Sequence, residues 1–123
     1  MLFRHVVLSV AFVALPFGAA LGHHSGAMYD QETSVEADAT VKEFQWTNPH
    51  SWLRVTYTDA QGTAKEVDLE LGSPVQLFRQ GWRPKTLAPG DKVKVVFRPH
   101  KDGIATGFLN TITLPDGNSL TSE

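Results

Sequence analysis

The chain has 123 residues, enough for one small domain. Its 11 basic and 13 acidic residues leave a formal net charge of −2. The charges are interspersed, which excludes the clustered Lys/Arg excess of a nucleic-acid footprint. The absence of cysteine excludes disulfides, thiol chemistry and a lipid-modified cysteine anchor.

Arg4 and His5 precede a run from Val6 to Leu21 that is apolar except for Ser9 and is broken by Pro16 and Gly18. Ala20-Leu21-Gly22 then places small residues at the −3 and −1 positions of a cleavage site. This is the layout of a secretory signal peptide over residues 1–22, and the run is short and broken for a membrane span. The expectation is export to the periplasm with no stable membrane anchor, and His23 as the mature N-terminus. Cleavage after Ala20 is the competing register. Residues 23–33, opening His23-His24-Ser25, have neither strand nor helix period and read as an N-terminal arm.

The domain expected over 34–120 begins with Val35, Ala37, Ala39 and Val41 alternating with polar residues, the pattern of a half-buried strand. Phe44 and Trp46 continue the apolar series one residue out of step, which predicts a β-bulge near Lys42-Glu43. Trp46-Thr47-Asn48-Pro49-His50-Ser51-Trp52 follows. Asn-Pro favours a turn, because proline fixes its own φ and pushes the preceding residue out of the helical region. The second strand alternates Leu53, Val55 and Tyr57 inward with Trp52, Arg54, Thr56 and Thr58 outward. The third points Val67, Leu69 and Leu71 inward.

Matching the two inward faces requires a three-residue loop, Ala60-Gln61-Gly62, with Gly62 left-handed. That register sets Arg54 opposite Asp68 and Trp52 opposite Glu70. An outward tryptophan there has no core to fill. Ser73 as N-cap, Pro74 at the first helical position and Gly81 as terminator define a short helix, with Val75, Phe78 and Trp82 as its apolar side. Two turns cannot stand alone, so this helix plugs something. After a turn at Pro89-Gly90-Asp91, Val93, Val95 and Phe97 point inward from the fourth strand. The fifth runs through Phe108, Ile112 and Leu114, and Asp116-Gly117 closes a last hairpin. Five strands with a helix between the third and fourth is the order of an OB-like all-β barrel. A small β-sandwich is the alternative.

The ordered set His-His-Ser…Met-Tyr-Asp, Val-Lys-Glu-Phe-Gln-Trp-Thr-Asn-Pro-His-Ser-Trp, Gly-Ser-Pro…Gly-Trp and Leu-Ala-Pro-Gly-Asp resembles small exported bacterial proteins of the DUF6152 family. The resemblance runs from about His23 to Leu120 and centres on Trp46–Trp52. It implies export and a small β-barrel-like domain, and supplies no activity and no catalytic residues.

Three functional classes remain. Catalysis has no support in spacing: Ser51 and His50 are adjacent strand residues facing opposite ways, and no nucleophile elbow, zincin helix or phosphate loop is present. Metal binding has the right ligand types. A mature N-terminal His23 offers an amine and an imidazole to one Cu(II), resembling a histidine brace. His24, His50, His100 and the soft ligand Met28 are candidates to complete it. The third class is a non-catalytic binding module for a periplasmic protein or small ligand, with Trp46, Asn48, His50 and Trp52 at the corner as its site. An apolar or sugar-like partner suits such a platform; nucleic acid does not. Trp46 is expected to be mostly buried, and Trp52 and His50 accessible.

Overall fold

The computed structural model describes residues 26–122, so the segment expected to be a signal peptide, and His23 and His24, lie outside the described residues. The elements are β1 (Val35–Gln45), β2 (Trp52–Thr58), β3 (Ala64–Glu70), α1 (Pro74–Arg79), β4 (Lys92–Pro99), β5 (Thr106–Thr113) and β6 (Ser119–Thr121). The sheet runs β3-β2-β1-β4-β5-β6, and a parallel β3–β5 pairing closes its first five strands into an OB-like barrel. No helix among the described residues is long and apolar enough to cross a membrane.

Strand alternation and turn chemistry set the registers. Val55 faces Val67, Leu53 faces Leu69, Arg54 faces Asp68 and Trp52 faces Glu70, as the three-residue loop requires. Gly62 sits there at φ 80°, and its N–H donates to the Asp59 carbonyl at 3.0 Å. The β1–β2 register slips between Val41 and Glu43, so Lys42 is the extra residue of the expected bulge. Val41 therefore points into the core and Phe44 packs against it, while Glu43 and Gln45 turn outward.

Two assignments are corrected. On α1 the buried residue is Leu77, whereas Val75 and Phe78 are 60% and 55% exposed. The helix is capped as expected, with a full Ser73/Gln76 capping box. However, Val75 and Phe78, three apart, share the side turned from the barrel. Leu77 and Trp82 do the plugging, both fully buried. On β5, a second bulge at Asn110 resets the parity: Phe97 faces Leu109 while Val96 faces Thr111. Gly107, Leu109 and Ile112 are buried, and Phe108 turns to the outer face.

The Asn110 bulge leaves strand carbonyls for another partner, and the end of the described chain supplies it. Ser122, itself buried, donates its Oγ–H to the Leu109 carbonyl and its N–H to the Asn110 carbonyl at 3.1 Å. Next to it the Trp82 indole N–H donates to the Thr121 carbonyl at 2.6 Å.

Gly107 is the close-contact point of the closing seam, paired with Leu69 on β3 and Pro99 on β4. A β-carbon there would stand 2.7 Å from Phe97 Cδ2, 2.9 Å from the Arg98 carbonyl oxygen and 3.1 Å from Leu69 Cδ2. Gly107→Ala is therefore expected to destabilise the fold by about 1–3 kcal/mol, the range of an overpacked core. Denaturant unfolding measures this, and an unchanged midpoint would show that the seam has room to spare.

Candidate functional site

The outward face of β1–β3 carries a hollow of about 300 Å³. Glu43 and Gln45 of β1, Trp52 and Arg54 of β2, Asp68 of β3 and Thr106 at the start of β5 line it. Trp52 directly follows the β1–β2 loop, and Thr106 directly follows the β4–β5 loop. This strand face and these two loops are where OB-type barrels take ligands. Arg54 organises the floor: Nε and an Nη bind the two Asp68 oxygens at 2.7 and 3.1 Å, and Glu43 and Glu66 each stand 3.7 Å away. Such a fork-to-carboxylate pair is geometrically fixed. Trp52 is half-buried, its outward direction matching the sequence reading.

Beside the hollow is a polar junction. Glu70, opposite Trp52, is only 4% exposed, with Tyr29 of the arm against one side of it. Tyr29, 1% exposed, donates its hydroxyl to Glu70 Oε2 at 2.5 Å and packs on Phe108 and His100, at 5.9 and 6.2 Å between ring centroids. On the other side, His50 Nδ1 lies 3.1 Å from the Leu71 carbonyl oxygen and 3.3 Å from Glu70 Oε1. Both neighbours accept, so the neutral ring carries its proton on Nδ1, and its Nε2 lone pair has no partner among the described residues. His100 is the reverse: its Nδ1 accepts the Asp102 backbone N–H at 3.0 Å, which puts the proton of a neutral ring on Nε2.

The corner residues are therefore divided. Asn48 and Pro49, joined by a cis peptide, are exposed at the tip. His50 belongs to the Glu70 junction, and Trp52 to the hollow. Trp46 is half-buried rather than mostly buried. It packs edge-on against Phe44 at 6.1 Å and lines a separate hollow with Pro74, Val75, Phe78 and Arg79. Met28 is exposed, while its neighbour Tyr29 anchors the arm. Among the described residues no group of three or more His, Asp or Glu is gathered to hold a metal.

The sequence reading missed Glu70 and Tyr29 as members of this region. In sequence Glu70 is one of three carboxylates, with Glu66 and Asp68, that alternate with the inward residues of the third strand, and only its position opposite Trp52 sets it apart. Tyr29 lies 41 residues away, in an arm without a period.

The fold and surface define a small closed β-barrel with an outward aromatic hollow. The chain belongs to the family described as "Family of unknown function (DUF6152)", whose model matches residues 10–110. No curated protein and no solved structure matches it.

The junction has a measurable signature. Burial first, then the Glu70 hydrogen bond and charge, push the Tyr29 phenol well above its ordinary value of 10.0. Burial, then the charge of Asp59, raises that of Tyr57. These are the only two tyrosines. Because the fold holds their protons more tightly than the unfolded chain does, this stabilisation is complete below about pH 10 and declines above it. Ultraviolet titration is expected to show phenolate appearing only well above pH ~10 or together with unfolding. A folded protein with Tyr29 ionised near the ordinary value would contradict the junction.

Proposed function

We propose that this chain is an exported binding module that holds the flat or apolar part of a small partner against Trp52. One observation carries the reading: Trp52 points away from the core into a hollow on the face, and beside the loops, that this barrel class uses for ligands. The fold gives the place and the side chains must give the ligand. The Arg54 guanidinium in the hollow is engaged by Asp68, so among the described residues lining it an anionic chain such as nucleic acid meets no free cation. Trp52→Ala is expected to cost well under the ~3–5 kcal/mol of a core aromatic truncation, while Trp82→Ala falls in that range. Unfolding of the two variants tests this. A core-sized loss at Trp52 would make it structural and remove the reading.

A second reading, binding of Cu(II), is favoured by the state of His50. An imidazole whose Nδ1–H is held by a carbonyl and a carboxylate, with Nε2 open, is arranged as metal-ligating histidines are. The Nδ1 of His100 is already engaged by Asp102, which makes His100 the poorer candidate. Tyr29 and His50 share the Glu70 carboxylate, and His23 precedes Tyr29 by a length of chain that spans up to ~20 Å. In this reading the mature amine and ring of His23 join His50 on the metal, with His24 and Met28 as alternatives. Paramagnetic resonance of Cu(II) added to the protein starting at His23, and to one with an extra N-terminal residue, is expected to differ. His50→Ala is expected to change the first spectrum. Identical spectra in all three would remove copper.

A further inference from the structure

We infer that the Trp52 hollow takes a small organic cation, an alkylammonium or quaternary ammonium head; this rests on reading that hollow as a binding site. Three features of the same face select the class. The first is charge. Asp68, Glu43 and Glu66 surround Arg54, and the one further cation in the cluster is Lys42, 2.6 Å from Glu66. One negative charge is left in excess beside the indole, so an anionic ligand is repelled and a cation attracted.

The second is hydrogen-bond capacity. Both Asp68 oxygens are taken by Arg54, and Glu43 Oε1 accepts from the Gln45 amide at 2.9 Å. A sugar's hydroxyls would have to share acceptor oxygens already engaged by Arg54 and Gln45, whereas an ammonium head requires only the field and an aromatic face.

The third is the indole itself. The exposed ring of Phe78 and the outward ring of Phe108 each carry an arginine of this chain, Arg83 at 3.8 Å and Arg98 at 5.5 Å from the ring centroids. Among the described residues no ring stacks on Trp52 and no cation lies over it. Tryptophan offers cations the best aromatic face of the three ring types. A space of about 300 Å³ is at the small end of ligand sites and suits one ammonium head.

Choline and its neutral isostere 3,3-dimethylbutan-1-ol are the probes, with the indole N–H resonances of the three tryptophans as readout. Trp52→Ala assigns its own resonance by deletion. Choline is expected to shift the Trp52 signal saturably, roughly fivefold or more tighter than the isostere, and less so in high salt. Glu43→Gln is expected to weaken choline about threefold and leave the isostere unchanged. Phosphocholine, with the same head beside a phosphate, is expected to bind more weakly than choline, which distinguishes a free ammonium from a lipid headgroup. Equal binding of choline and isostere, or tighter binding of phosphocholine, would overturn the inference. So would a response to maltose and not to choline, although the hollow would then remain a binding site. No response at Trp52 to any of these probes would remove the inference and the binding reading together.

Discussion

Closure of the barrel at the short parallel contact between β3 and β5 is the constraint on which the rest of the molecule depends. Three residue pairs make that seam, and Gly107 lets Leu69, Phe97 and the β4 backbone converge where a side chain would separate them. Two features of the outer face are completed by it. Pairing Glu70 with Phe108 puts a carboxylate beside a ring, and Tyr29 spans both. Pairing Asp68 with Thr106 completes the wall of the Trp52 hollow. An open sheet with the same strands would have neither the junction nor the hollow.

Local rules carried the sequence reading a long way. Period-two alternation with a three-residue turn fixed the β2–β3 register, because a slip of one would have turned Leu53 and Val55 to solvent. The break in parity before Phe44 signalled the Lys42 bulge. Ser73-Pro74 and Gly81 marked the helix ends, since caps are chemistry of a few neighbouring residues. The failures came where a distant partner decides. Leu77 displaced Val75 and Phe78 from the core because a two-turn helix offers several apolar sides, and the barrel end selects one. Phe108 turned outward because a bulge at Asn110 leaves no signature in composition. Glu70 is buried between His50 and Tyr29, the latter far away in sequence.

The corner that organised the sequence reading joins two surfaces rather than forming one. Trp46 and Trp52 are six residues apart, yet the bulge and the turn send them to different hollows. His50 sits between, turned toward Glu70. A motif dense in aromatics is thus spent on three tasks: covering the helix side, holding the junction and lining the hollow. Sequence proximity located the region, and strand parity, once the bulge was counted, divided it.

The family match stops at residue 110, the bulged residue itself, but the carbonyls beside that bulge are satisfied by Ser122, and the Trp82 indole by Thr121. The segment after the matched span is therefore part of the barrel's plumbing rather than a trailing end. Cutting the chain at the edge of the matched region for expression would remove the end of β5 with its buried Ile112, all of β6, and the carbonyl that holds the buried Trp82 indole.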